Sequence, residues 1–155
     1  MPIQKLKDYL DSNHVKYLTM SHSPAFTAEE VAASAHVPGR ELAKTVMVKS
    51  DGKMAMVVLA AHQKVDFGLL EGVMGRTGVG LADEEEFKTA FPDCDVGAMP
   101  PFGNLYEMEI FVDESLQDDE QISFNAGTHT ELIKLAYSDF EKLAKPKVGR
   151  IAVCH

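Results

Sequence analysis

The sequence contains few cysteines and no long apolar run, and both absences restrict what the protein can be. Its two cysteines, Cys94 and Cys154, are far apart and form no CxxC pair. This argues against a disulfide scaffold and favours a reducing cytoplasm. No stretch approaches the roughly 20 apolar residues that cross a bilayer, and the amphipathic start lacks the apolar segment of a signal peptide. We expect a soluble, cytoplasmic protein with no membrane partner.

Positive charge is also scarce. The 155 residues include 15 basic and 24 acidic side chains, which give a formal net charge of −9. Proteins that coat DNA or RNA normally carry a basic face, so we expect no DNA partner. Binding to one short end of a nucleic acid remains compatible with this charge. The length suits one domain over residues 1–155.

The common catalytic and cofactor motifs are missing. The sequence has no GxxxxGK[ST] and no GxGxxG between a strand and a helix, which leaves a nucleotide phosphate cradle unsupported. It has no GxSxG elbow and no HExxH, and its six histidines show no metal-ligand spacing. We expect no cofactor and no metal, although a zinc site assembled from distant histidines stays open.

Apolar periodicity and turn residues predict an α+β domain, with a mixed or barrel-like sheet and several helices. Strands are expected at 15–20, 45–48, 54–59, 105–112, 122–125 and 132–135, with an Asp-Gly turn at 51–52 and a short strand or loop at 78–82. Helices are expected near the start, after Thr27, after Asp66 with Gly75 as its end, after Asp83, and after Ser138.

Three places in the sequence carry candidate chemistry. Lys44 opens an apolar strand, where an ammonium can meet an anionic or carbonyl ligand, or can simply be solvated. The loop 97–103, GAMPPFG, combines glycines with prolines that fix its shape, so its backbone N–H groups are suited to bind an oxyanion. The alternative is an ordinary connection.

The third place is the segment 125–130, NAGTHT, in which His129 is a candidate acid, base or donor. The alternative is a tight turn with a surface histidine. Cys94 precedes the loop, but no motif pairs it with a base, so we interpret it as a structural thiol.

Together these segments resemble the YbaK/prolyl-tRNA synthetase-associated editing domain family, the free-standing aminoacyl-tRNA deacylases. The matching pieces are HSPAFT at 22–27, AKTVMV at 43–48, GAMPPFG at 97–103 and FNAGTH at 124–129. The resemblance implies a mixed, barrel-like sheet surrounded by helices, and hydrolysis of the ester between a wrong amino acid and the tRNA 3′-terminal adenosine. It implies catalytic roles for Lys44, Gly97, Ala98 and His129. It implies substrate binding by His22, Phe26, Thr27, Met99, Pro100, Pro101, Asn125, Ala126, Gly127 and Thr128.

Under this interpretation no covalent nucleophile is needed, because a positioned water attacks the ester. Backbone N–H groups at Gly97 and Ala98 would hold the oxyanion, and Lys44 would fix the terminal phosphate or ribose. The expected partner is the aminoacyl-tRNA 3′ end: either contact is confined to its CCA end, or an aminoacyl-tRNA synthetase delivers it. Arg40, Lys64 and Lys134 would add local positive charge near the site. An editing-like binding module without turnover, and a different small-ester or amide hydrolase, are the alternatives.

Overall fold

The computed structural model describes residues 4–22, 33, 39–95 and 98–154, without the side chain of Phe87. The helices are α1 (Gln4–Ser12), α2 (Phe67–Met74), α3 (Glu84–Ala90) and α4 (Tyr137–Ala144), with 3-10 turns at Gly39–Glu41, Gly103–Tyr106 and Glu114–Asp118. The strands are β1 (Tyr17–Ser21), β2 (Leu42–Ser50), β3 (Lys53–Ala60), β4 (Gln63–Val65), β5 (Gly80–Leu81), β6 (Ile110–Asp113), β7 (Gln121–Asn125), β8 (Glu131–Ala136), β9 (Lys147–Gly149) and β10 (Ala152–Cys154).

The strands form a mixed sheet in the order β1-β8-β7-β2-β3-β6-β9, with β5 on β2 and a separate β4-β10 pair. The β1-β8, β7-β8 and β2-β3 pairs are antiparallel, whereas β2-β7, β3-β6 and β6-β9 are parallel. The α+β class and the mixed sheet are therefore confirmed.

Apolar side chains cover both faces of the sheet. On one face, α1, α4 and the segment around Phe102 pack over a large aromatic-rich cluster. On the other, Leu70 of α2 and Ile151 pack over Val57 and Phe111. Within the described residues, no helix combines the length and apolar character needed to cross a membrane.

Local turn chemistry explains the elements that the sequence predicted well. Asp51 and Gly52 both adopt positive φ, 51° and 77°, as a two-residue hairpin turn requires. The Asp66 carboxylate accepts a hydrogen bond from the Leu69 N–H at 3.0 Å, and Gly75 ends α2 in the left-handed conformation. These residues define the ends of the elements, as predicted.

Two predictions about secondary structure were wrong, and some short strands were not predicted. The expected strand 105–112 begins at Ile110, because Gly103–Tyr106 is a 3-10 turn that ends at Glu107 with φ 59°. Ser138 does not cap α4, since the helix starts at Tyr137 and its N-cap is Ala136. The strands β4, β9 and β10 were missed. The expected helix after Thr27 lies outside the described residues.

Candidate functional site

Two of the predicted segments are joined by backbone hydrogen bonds. The Asp95 N–H donates to the Gly127 carbonyl oxygen at 2.7 Å, and the Gly127 N–H donates to the Ala98 carbonyl oxygen at 3.0 Å. Gly127 has φ 98°, a conformation that L side chains rarely adopt. The glycine–proline loop and the 125–130 turn therefore lie side by side, although about 30 residues separate them in sequence.

Aromatic packing anchors the loop from behind. Phe102 is fully buried, and its ring contacts Phe124 and Phe140 edge-on at centroid distances of 5.6 Å and Tyr9 at 6.1 Å. Four further loop residues that the sequence assigned to the site are buried, Ala98, Met99, Pro100 and Pro101. Two prolines and a packed aromatic ring restrict how far this backbone can move.

The turn at the end of β7 also holds the end of β1. The Ala126 N–H donates to the Glu131 carbonyl oxygen at 3.1 Å, and the His22 N–H donates to the Thr130 carbonyl oxygen at 2.8 Å. The Thr128 and Thr130 hydroxyls are 3.5 Å apart. His22 is thereby brought to the turn that carries Thr128 and His129.

Lys44 lies next to this turn in the sheet. The parallel register pairs Leu42 with Ser123 and Ala43 with Phe124, so Lys44 and Asn125 are one position beyond the last pair and share a face. The half-buried Lys44 ammonium donates to the Ala61 carbonyl oxygen at 3.2 Å. It is therefore held within the protein at the strand end.

Several polar atoms of this region are withdrawn from water. The Nε2 atom of His22 and the Nδ1 atom of His129 are buried, and the buried Oδ1 atom of Asn125 accepts no hydrogen bond from the described residues. Buried polar groups are normally paired, so Asn125 is well suited to receive a donor from a ligand.

Some predicted roles change when the atoms are located. The Ala98 N–H donates to the Asp95 carbonyl oxygen at 3.0 Å. Of the two N–H groups expected to bind the oxyanion, this leaves that of Gly97. Gly97, Phe26 and Thr27 lie outside the described residues.

Arg40 lies 3.8 Å from the Glu41 carboxylate and lines a depression with Asp118, Asp119 and Glu120. The expected positive charge of Arg40 is therefore set among acidic groups.

Among the described residues, Cys94 has the environment of a structural thiol and the acidic side chains form no metal site. Burial raises the pKa of the Cys94 thiol to about 12, so it is protonated at neutral pH. Across residues 4–22, 39–95 and 98–154, no three His, Cys, Asp or Glu side chains are grouped so as to hold a metal ion.

A polar cluster beside the Lys44 contact was missed by the sequence analysis. It is formed by Gln63 on β4 and by Asp113 and Ser115 at the end of β6. The only signal in the sequence was the aspartate that directly follows the apolar run of β6.

The chain is similar to known proteins in sequence and in fold. The profile of the aminoacyl-tRNA editing domain family matches residues 22–143. The prolyl-tRNA editing protein ProX of Acetoanaerobium sticklandii is 25% identical over 142 residues, covering 88% of this chain and 86% of that protein. A proline–tRNA ligase of Bacillus mycoides is 30% identical over 88 residues, which make up 57% of this chain and 15% of the ligase.

A solved structure shows the same fold. This structure, of a candidate trans-editing enzyme for prolyl tRNA synthetase, superposes with a TM-score of 0.82 at 18% identity, and covers 97% of this chain and 96% of the other. Because the family profile spans most of the sequence and includes all the segments joined here, the chain belongs to the aminoacyl-tRNA editing domain family, whose members are deacylases, that is, ester hydrolases.

Proposed function

We propose that this protein hydrolyses the ester between a small, wrongly attached amino acid and the 3′-terminal adenosine of a tRNA, with tRNA-Pro as its carrier. The observation that carries the proposal is the joined loop and turn beside Lys44, held by the two backbone bonds of Gly127. The names of the relatives, a prolyl-tRNA editing protein and a proline–tRNA ligase, support tRNA-Pro. We place the activity in the cytoplasm and in one editing domain.

The reaction needs a positioned water and a stabilised oxyanion. Water attacks the ester carbonyl carbon, the bond from that carbon to the ribose oxygen breaks, and the ribose oxygen takes the proton. In this proposal the Gly97 N–H binds the developing oxyanion. The vicinal ribose hydroxyl of the substrate activates the water, and His129 orients the water or the amino group.

Lys44 has a binding role in this scheme. Its ammonium donates a hydrogen bond to the Ala61 carbonyl oxygen, 3.2 Å away, which restricts the position of the ammonium. From there it binds the terminal phosphate or ribose by charge and hydrogen bonding. Such positioning of a reacting group contributes strongly to rate, since small displacements of bound substrate are costly.

The net charge of −9 limits how the substrate is recognised. General attraction to the tRNA backbone is weak at this charge. Contact is therefore confined to the CCA end, or a synthetase delivers the acylated end. The match to part of a proline–tRNA ligase supports delivery in the neighbourhood of such an enzyme.

The test compares Lys44→Ala with Lys49→Ala on a panel of mischarged tRNAs. Lys49 lies on the same strand, 2.8 Å from the Glu86 carboxylate and at the opposite end of β2. Lys44→Ala is expected to lower the rate of deacylation by roughly 10²-fold, the cost that misplacing a bound substrate can reach. Lys49→Ala is expected to leave the rate within about twofold, as surface ion pairs contribute little.

Full activity in Lys44→Ala would refute the role of Lys44. A wild-type protein that slows the spontaneous loss of the amino acid would instead be a binding module without turnover. Hydrolysis of a simple ester, with none of aminoacyl-tRNA, would assign a different esterase.

A further inference from the structure

The carbonyl that binds Lys44 belongs to the tight turn between β3 and β4. Ala61 is almost fully buried. Its N–H donates to the carbonyl oxygens of Leu42 at 2.9 Å and of Gly39 at 3.2 Å. The position of the Lys44 ammonium therefore depends on how firmly this turn is held.

The side chain of Gln63 folds back onto the same turn. Its Oε1 atom accepts a hydrogen bond from the Ala60 N–H at 3.0 Å and lies 3.3 Å from the Ser115 hydroxyl oxygen, whose proton is donated to Asp113. Its Nε2 atom donates to the Asp113 carboxylate at 3.2 Å. Only 6% of Gln63 is exposed. The amide thus connects the residue before Ala61 to a carboxylate on β6.

Asp113 is a fixed end point for this connection. It is 2% exposed. Its Oδ1 atom accepts from the Ile151 and Ala152 N–H groups at 3.0 Å each, and its Oδ2 atom accepts from the Ser115 N–H at 3.1 Å and from the Ser115 hydroxyl. A buried carboxylate is tolerated only when it is hydrogen-bonded in this way. Saturated networks of this kind hold side chains in one geometry.

We propose that Gln63 and Asp113 are positioning residues for the Lys44 ammonium, acting through the Ala60–Ala61 turn and touching no substrate. This inference rests on the proposed deacylase function. Its structural basis is a connected path. Hydrogen bonds link Asp113 to Gln63 and Gln63 to the Ala60 N–H. The backbone then continues to the Ala61 carbonyl oxygen, which accepts the hydrogen bond from Lys44.

The test is a double-mutant cycle between Gln63→Met and Lys44→Ala. Gln63→Met keeps the length of the side chain but removes its hydrogen bonds, and it is expected to lower kcat about tenfold or more in the protein that retains Lys44. If Gln63 acts through Lys44, the same substitution leaves the residual rate of Lys44→Ala unchanged. Equal fold-losses in both backgrounds would overturn the proposal and leave Gln63 a structural residue.

Ser50→Ala is the matched control. The Ser50 hydroxyl is also buried and donates to the Thr77 carbonyl oxygen at 3.2 Å, but it lies at the opposite end of β2 from Lys44. It removes a buried hydrogen bond without touching the turn. We expect a lower melting temperature with kcat retained. A loss of kcat in Ser50→Ala equal to that in Gln63→Met would contradict specific positioning.

A second readout does not depend on activity. With lysine labelled at the 13Cε atom, the Lys44 resonance is identified by its disappearance in Lys44→Ala. Gln63→Met is expected to shift this resonance toward that of the exposed lysines, and Ser50→Ala is not. An unmoved Lys44 resonance in a folded Gln63→Met protein would overturn the proposal. If the wild type hydrolyses no aminoacyl-tRNA, the proposed function fails and this resonance still tests the positioning.

A rescue experiment guards against a Gln63→Met protein that does not fold. Gln63→Glu alone places a second carboxylate against Asp113 and is expected to lower kcat. Combining it with Asp113→Asn restores a donor and an acceptor between these two side chains in reversed order. Because the new amide nitrogen faces the Ser115 N–H, which loses its acceptor, the double variant is expected to recover part of the rate and of the wild-type shift of the Lys44 resonance. Failure of the folded double variant to recover either would contradict the connection.

Discussion

Phe102→Leu tests whether aromatic packing holds the glycine–proline loop. The ring makes three edge-on contacts, with Tyr9, Phe124 and Phe140. Each aromatic pair is worth about 0.5–1.5 kcal/mol beyond the area that it buries. Because leucine retains most of the apolar volume, the expected loss in the free energy of unfolding is about 2–4 kcal/mol, dominated by the ring contacts.

The control is Phe111→Leu, measured by urea denaturation beside Phe102→Leu. Phe111 is equally buried but packs in the cluster on the opposite face of the sheet, where its ring neighbour is the Lys147 ammonium at 6.0 Å. Its expected loss is about 1 kcal/mol. We also expect Phe102→Leu to lower deacylation more than Phe111→Leu at a temperature where both are folded. Equal losses of stability and of activity in the two variants would refute the anchoring role.

Two further predictions follow from ionisable groups. Burial raises the pKa of the Cys94 thiol to about 12. A thiol reagent at pH 8 is therefore expected to modify the exposed Cys154 first, and Cys94 only when the protein unfolds. A fast phase of thiol modification in the Cys154→Ser variant would contradict this. Desolvation acts to raise the pKa of Asp113, but hydrogen bonds from Ser115, Ile151 and Gln63 outweigh it and hold that pKa below its ordinary value. Its charged form therefore stabilises the fold above about pH 4, and this effect is lost as the pH falls through the folded-state pKa. At pH 7 the free energy of unfolding of Asp113→Asn is expected to be about 1.5–3 kcal/mol below that of the wild type. Urea titrations from pH 7 to pH 3 should show this difference shrinking in acid.

The parts of the fold that were predictable depend on local chemistry. The Asp-Gly turn at 51–52 and the pair of Asp66 and Gly75 act within a few residues of their own position. Such residues restrict the backbone directly, whatever surrounds them.

The errors arose where distant contacts decide the structure. The alternating residues at 105–112 satisfy the pattern of a strand, but Gly103–Tyr106 forms a 3-10 turn with Phe102 packed in the core beside it. The short strands Lys147–Gly149 and Ala152–Cys154 pair with β6 and β4, far away in sequence. Tertiary pairing of this kind leaves little periodic signal in three residues.

The candidate site was predictable only in pieces. Each candidate was ambiguous as an isolated segment: Lys44, the 97–103 loop and the 125–130 turn. Their order along the chain resembles that of the family, and this resemblance indicated that they form one site. The sequence holds no sign that Ala61 offers its carbonyl oxygen to Lys44, because a backbone group has no residue-type signature. The connection from Asp113 to Gln63 joins side chains that are 50 positions apart in sequence, and only the fold brings them together.

The most direct test of the account is the initial rate of deacylation of tRNA-Pro carrying alanine, cysteine or serine, compared with tRNA-Pro carrying proline. We predict that the ester of at least one of these small amino acids is hydrolysed about tenfold or more faster than that of proline. Pocket contacts of about 1–3 kcal/mol can provide such a difference. Hydrolysis of none of these esters above the spontaneous rate would contradict the central claim.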